Sequence, residues 1–226
     1  MNSAELFSLA QAHTDNPMGI DIVRKAALRA FRGVDVSHPS LEFGTCRGGS
    51  AIAVLSAMVE LQQPSRPIVT VDPYGNLPYY ADVFRGVKMS KPVSWAYPND
   101  LYRVAMETLS SVAKHEGLNW THYMMRDTDY MEHVWPGVPL YFYKEPVVRP
   151  MFSFVYLDAE HTEESVRRQL VWLGDKIVKG GTIVIDDVDF LNGRGDSILA
   201  EFGGQVIEKD HPDKTRGCKK WLVIER

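Results

Sequence analysis

Cysteine is scarce: Cys46 and Cys218 are the two in 226 residues. That excludes a disulfide framework and a cysteine-rich zinc site, and it fits a reducing compartment. No stretch approaches the roughly 18 apolar residues of a membrane span. The opening MNSAELFSLAQAHTDNP lacks the basic-then-apolar layout of a signal peptide, so a cytoplasmic protein is expected. No basic block stands out and the formal charge is -4, which argues against a nucleic-acid backbone as the main partner. Internal repeats and low-complexity tracts are missing as well. What is present is an ordinary globular composition, 45% hydrophobic and 24% charged. The length suits one well-buried domain over residues 1–226 and is too short for two of usual size.

The most informative stretch is FSFVYLDAEHTEESVRRQLVWLGDKIVKGGTIVIDD, residues 152–187. Phe154, Val155, Tyr156 and Leu157 form a buried-strand run that ends at Asp158. Val166, Leu170, Leu173 and Ile177 recur at helical spacing, and Gly180-Gly181 reads as the helix stop. Thr182 to Ile185 is a second strand, ending at Asp186-Asp187. Two parallel strands joined by a right-handed crossover lie side by side. Asp158, His161, Asp186 and Asp187 are therefore expected together at the carboxyl edge of one sheet, where open α/β folds place their sites. Three carboxylates and an imidazole on one rim call for a cation.

Elsewhere, an amphipathic helix carries Ile20, Val23, Ala27, Ala30 and Phe31. Strands are predicted over 40–43, 67–71 and 120–124, and Asn99 starts a helix running through Lys114. Residues 205–209 and 219–224 read as an antiparallel terminal hairpin. Alternating strands and helices predict a mostly parallel, doubly wound sheet. Residues 74–98 and 135–150, rich in proline and aromatics, read as long loops that line a substrate pocket as lids. An equally good reading packs them against a second subunit in a homo-oligomer. Tyr74, Tyr79, Tyr80 and Trp95 are the lid candidates.

Glu42-x-Gly44-x-x-x-Gly48-Gly49-Ser50 lies between a strand and a helix. Glycines there let a backbone approach a ligand, and the helix N-terminus offers unbonded N–H groups. The spacing departs from the G-x-G-x-x-G of dinucleotide binders. An acid before the first glycine suits a ligand with a cationic amino-acid end better than a pyrophosphate. Asp72, at the tip of the second strand, is placed to accept hydrogen bonds from ribose hydroxyls.

On these residues, LEFGTCRGGSAIAVLSAM resembles motif I of class I S-adenosylmethionine-dependent methyltransferases, and VDPYG resembles their second motif. YLDAEHTEESVRRQL followed by GGTIVIDD is similar to the O-methyltransferases typified by macrocin and mycinamicin O-methyltransferases. It also resembles the cephalosporin hydroxylase-like proteins and, more distantly, catechol O-methyltransferase. The resemblance spans about residues 40–73 and 120–190. It implies a Rossmann-like, doubly wound, mostly parallel seven-stranded sheet with an antiparallel C-terminal strand. Gly44, Thr45, Cys46, Gly48 and Ser50, with Glu42, would line the methionine side of S-adenosylmethionine. Asp72 would hold its ribose, Pro73 would lie against the adenine, and Asp127 and Thr128 would flank that ring. Asp158 would also touch the cofactor and, with His161, be a catalytic residue. Asp158, Asp186 and Asp187 match Mg2+ ligands, and His161 matches the family's general base, a place that lysine takes in the catechol enzymes.

The chemistry agrees with this. Methyl transfer needs an oxygen nucleophile in line with the methyl group, about 3 Å away. A hard cation with oxygen ligands can bind neighbouring hydroxyls and acidify one, and a histidine can take the proton. Aspartates without cysteine suit Mg2+ or Mn2+. The expected acceptor is a small hydroxylated molecule: a sugar, a glycosylated natural product or a vicinal diol. Asn192, Arg194 and Asp196 on the following loop are candidates to touch it. Two alternatives stay open: a relative that binds a nucleoside cofactor without transferring methyl, and an NAD-dependent oxidoreductase. His115, His122, His133 and His211 show no ligand spacing and read as surface or structural.

Overall fold

The computed structural model describes residues 1–14, 17–74, 79–84, 87–95, 99–134, 139–142, 145–148, 151–159, 162–186, 188, 202–209 and 222–226. Two helices, α1 (Ser3–Ala12) and α2 (Pro17–Gly33), precede β1 (Ser40–Phe43), α3 (Gly49–Glu60) and β2 (Pro67–Val71). Then come β3 (Tyr79–Phe84), β4 (Val87–Trp95), α4 (Asn99–Glu116) and β5 (Asn119–Tyr123). A short helix α5 (Asp127–Asp129) runs into one π-helical turn, followed by β6 (Pro139–Phe142) and β7 (Glu145–Val148). The chain continues with β8 (Phe152–Leu157), α6 (Glu163–Leu173), β9 (Ile177–Ile185), β10 (Gln205–Lys209) and β11 (Leu222–Glu225).

Seven of these strands form one sheet in the order β10-β11-β9-β8-β1-β2-β5. Neighbours from β9 to β5 pair in parallel, while β11 is antiparallel to both β9 and β10. The mostly parallel seven-stranded sheet with a reversed C-terminal strand is therefore the observed architecture. β1, β2 and β8 are buried along their whole lengths, as expected for parallel strands covered on both faces. Their alternate residues feed two separate cores. Phe154 and Tyr156 pack with α1, α2 and α3, whereas Val155 and Leu157 pack with Val166, Leu170 and Leu173 of α6.

The strand ends are in register: Phe43 stands opposite Val71 and Leu157, Leu157 opposite Ile185, and Val71 opposite Tyr123. The ladder continues one residue past those ends. Asp72 N–H donates to Tyr123 O at 3.2 Å, Gly44 N–H to Val71 O at 2.9 Å, Asp158 N–H to Phe43 O at 2.9 Å and Asp186 N–H to Leu157 O at 3.0 Å. At about 4.8 Å per strand, Asp72, Gly44, Asp158 and Asp186 make a rim row about 14 Å long.

The opposite end of the sheet is fastened by Arg66, which is 0% exposed. Its Nη1 donates to Asp35 O at 3.1 Å, His38 O at 2.9 Å and Ser153 Oγ at 2.9 Å, and its Nη2 to Val34 O at 2.8 Å and Gln63 Oε1 at 2.9 Å. Burial lowers its pKa to about 10, so it stays charged at neutral pH.

Two expectations are corrected. α6 stops at Leu173, where Gly174 N–H returns to Leu170 O at 3.0 Å, so Ile177 belongs to β9 and not to the helix. Gly180-Gly181 lies inside β9, where the strand bulges: from Phe152 to Phe154 its partner advances from Ile177 to Thr182. Gly180 has φ +80°, which supplies the turn such a bulge needs. The second correction concerns the two stretches read as loops. They contain antiparallel hairpins, β3 with β4 and β6 with β7, each apart from the main sheet. Aromatic and β-branched residues on both arms favour pairing over coil. Among the described residues no helix is long and apolar enough to cross a membrane.

Candidate active site

The turn after β1 is shaped by protein contacts. Gly44 has φ +91°, and a Cβ there would lie 2.0 Å from Asp158 O. Its missing side chain is what lets the ends of β1 and β8 close together, so this glycine serves strand packing and not only ligand approach. Gly48 N–H closes the turn onto Thr45 O at 2.7 Å. Gly48 is also the N-cap of α3 and brings no side chain to that helix start.

Asp72 holds the turn from the next strand. Its Oδ2 accepts from Cys46 N–H at 2.9 Å and its Oδ1 from Tyr74 N–H at 2.8 Å. Tyr74 in turn donates its hydroxyl to Cys46 O at 2.8 Å. Both backbone groups of Cys46 are thus clasped from the tip of β2. Tyr74 is buried at φ +47° and packs on Tyr102 and His122 at centroid distances of 4.9 and 5.6 Å. It is a structural clasp, which corrects its reading as a lid residue. His122 is half-buried on β5, facing Thr70 Oγ1 at 2.9 Å, and burial lowers its pKa to about 4. That neutral, packed ring fits the structural reading. His115 and His133 are exposed, and His211 lies outside the described residues.

Glu42, one residue before the end of β1, is 3% exposed. Ser50 Oγ, in the first turn of α3, donates to Glu42 Oε1. Burial pushes its carboxyl up to about 8; Asp72 adds to the rise, and the hydrogen bond from Ser50 opposes it. Even so, Glu42 Oε2 and Thr45 Oγ1 are both buried without a hydrogen-bond partner. Unpartnered buried oxygens beside a glycine turn are costly in a finished core and ordinary in a binding site.

On the other side of Gly44, two of the expected carboxylates converge. The Tyr156 hydroxyl lies 2.8 Å from Asp186 Oδ2 and 3.2 Å from Asp158 Oδ2. Burial first, then the charges of Asp158 and Asp186, raise the pKa of Tyr156 well above the phenol range, so the hydroxyl keeps its proton and acts as donor. His161 and Asp187 lie outside the described residues, as do Asn192, Arg194 and Asp196. Among the described residues no group of three or more His, Cys, Asp or Glu side chains is assembled to hold a metal ion.

Asp127 and Thr128 open α5, just past the end of β5, and both are half-buried. Gln169 of α6 donates to Asp127 Oδ2 at 2.7 Å. Tyr156, Tyr74 and Gln169 all orient site residues, and all escape a reading by pattern. Tyr156 sits in an apolar strand run and Gln169 within an amphipathic helix. Their one available signal is a polar tip at a position the periodicity assigns to the core: Tyr156 is 4% and Gln169 1% exposed.

The methyltransferase domain family matches residues 41–188, a segment that holds every rim residue from Glu42 to Asp186. A search of curated proteins by sequence finds no match. Among solved structures, the calicheamicin methyltransferase CalS11 is similar with a TM-score of 0.59 at 16% identity, over 93% of this chain and 80% of that one. An O-methyltransferase from Bacillus cereus in complex with SAH gives 0.55 at 12% identity, over 99% and 90%. Precorrin-6y C5,15-methyltransferase from Geobacter metallireducens gives 0.50 at 10% identity, over 90% and 86%. Identities this low speak for the fold, whereas the family match spans more than half of the chain. With the glycine turn, the acid at the tip of β2 and the parallel strands β1, β2, β5, β8 and β9 in the matched segment, the chain belongs to the methyltransferase domain family and is a methyltransferase.

Proposed function

We propose that this methyltransferase takes its methyl group from S-adenosylmethionine and places it on a hydroxyl of a small molecule, with Mg2+ or Mn2+ beside the acceptor. The observation that carries the donor half is the pair of buried, unpartnered oxygens, Glu42 Oε2 and Thr45 Oγ1, next to the glycine turn. An α-ammonium group has three N–H donors and would satisfy both. Gly44, Cys46, Gly48 and Ser50 are the proposed neighbours of the methionine end, Asp72 of the ribose, and Pro73, Asp127 and Thr128 of the adenine. The similar structures include an O-methyltransferase in complex with SAH, which supports a nucleoside donor and an oxygen acceptor. Membership in the methyltransferase family sets the nicotinamide-dependent alternative aside.

For the cation, the fit rests on donor chemistry. Asp158 and Asp186 bring hard carboxylate oxygens to one point through Tyr156. One or two carboxylates with retained waters is the usual protein share of a Mg2+ site. Asp187 is the proposed third ligand. A divalent ion held there would lower the pKa of an acceptor hydroxyl. His161, three residues beyond Asp158, is the proposed acceptor of that hydroxyl's proton. The row of Asp72, Asp158 and Asp186 also gives the rim a negative field suited to a sulfonium donor.

Calorimetry of the purified protein with S-adenosylmethionine and S-adenosylhomocysteine should show binding of both; binding of neither ends the donor reading. Methyl transfer to a panel of sugars, glycosylated compounds and vicinal diols should be lost with a chelator and restored by Mg2+. Activity indifferent to the chelator ends the cation half alone.

A further inference from the structure

Tyr156 is the residue that the proposed chemistry has not yet used. Its ring is held in the core shared by α2, α3 and β8, with Glu42 and Val184 as its neighbours across the sheet. A phenylalanine would fill the same apolar space. The hydroxyl, however, emerges where carboxylates from two different strand ends accept from it, Asp158 after β8 and Asp186 after β9. Parallel pairing of β8 and β9 sets the two backbones side by side without fixing where the side chains point, and like charges on adjacent strand ends repel. One donor on a ring with two torsions, fixed by packing, opposes that repulsion and sets where both carboxylates point.

We propose that Tyr156 is a positioning residue for cation capture: its hydroxyl gathers Asp158 and Asp186 into a preassembled pair that receives a divalent ion. This rests on the cation reading above. Groups that hydrogen-bond metal-ligating carboxylates orient them, and removing such a partner typically weakens metal affinity about 10–100-fold. The Tyr156 hydroxyl bonds to Asp158 and Asp186 and to no residue of the glycine turn, so donor binding can be followed apart from cation binding.

The test is Tyr156→Phe, which deletes one oxygen and keeps the ring. Mn2+ binding is followed by electron paramagnetic resonance in wild type, Tyr156→Phe and Asp186→Ala. Calorimetry with S-adenosylhomocysteine serves as the control for an intact donor half. The expected result is Mn2+ affinity about 10–100-fold weaker in Tyr156→Phe, with S-adenosylhomocysteine affinity within about twofold of wild type. Equal Mn2+ affinity in wild type and Tyr156→Phe overturns the proposal while leaving the cation reading intact. Absence of Mn2+ binding in wild type overturns both. Should Tyr156→Phe melt early, the same titration is run with saturating S-adenosylhomocysteine, which stabilises the fold by mass action. A simultaneous loss of both ligands under those conditions marks Tyr156 as merely structural and also overturns the proposal.

Discussion

Glu42→Gln should make the protein more stable at pH 8 than the wild type, while at pH 5 the two should nearly coincide. The reason lies in where Glu42 sits. Burial holds its carboxyl near pKa 8 in the folded chain, against 4.5 as the ordinary value. Between those limits the unfolded chain releases the proton while the native state retains it. The unfolded state then binds fewer protons, so unfolding becomes easier as pH rises. The full span corresponds to about 5 kcal/mol above pH 8, and about 3 kcal/mol is already lost at pH 7. Glutamine keeps the shape, cannot ionise, and is spared that loss; the hydrogen bond from Ser50 can pass to its amide oxygen. For a chain of this length, about 3 kcal/mol is about 6–12 °C in Tm. Scanning calorimetry of both proteins from pH 5 to 8.5 reads the difference directly. Parallel Tm curves would refute the reasoning, because the penalty would then not be the titration of Glu42. The same carboxyl should show a second face in binding. An ammonium group at Oε2 favours the ionised form, so S-adenosylmethionine should expel a proton and Glu42→Gln should bind it about 10–100-fold more weakly.

Two further perturbations probe the frame. Gly44→Ala places a methyl group against the carbonyl of Asp158, 2.0 Å away. It should lose at least about 3 kcal/mol in urea unfolding together with measurable donor binding, and a wild-type denaturation midpoint would contradict the close approach of β1 and β8. Arg66→Ala strips hydrogen bonds from the carbonyls of Val34, Asp35 and His38 at the far end of the sheet. A loss of about 3–5 kcal/mol is expected, with the donor affinity of the folded fraction unchanged; a milder loss would mean that water enters there readily.

Local pattern reached the strands and the acids at their ends. β1 and β2 are buried along their whole lengths, as parallel strands covered on both faces are, and each ends at the residue the sequence marks. Glu42, Asp72, Asp158 and Asp186 follow from those ends alone. The end of α6 did not follow, because Ile177 satisfies the helical period and the strand alike. Pairing with Phe152 decides it, and that partner is 25 residues away in the chain. Tyr74 misleads in a different way. An aromatic in a proline-rich stretch reads as a lid, but its hydroxyl reaches Cys46 O across a turn 28 residues earlier. Gly44 is legible as a motif, but its packing role is not, since the atom that faces its vacant side comes from Asp158. In each case the deciding contact is long-range, and spacing along the chain carries no record of it.

The reversed strand β11 has a consequence for how the fold is reached. β11 follows β10 in the sequence yet lies inside it, hydrogen-bonded to β9. During synthesis, β9 therefore waits with an open edge bearing the apolar run Thr182–Ile185 until residues 222–225 arrive. Open apolar edges are where chains join one another, and their danger lasts as long as the wait. Asp186 sits at the end of that same strand. The half of the rim proposed to receive a cation is thus completed late, and nascent chains arrested before residue 222 should be the ones that aggregate.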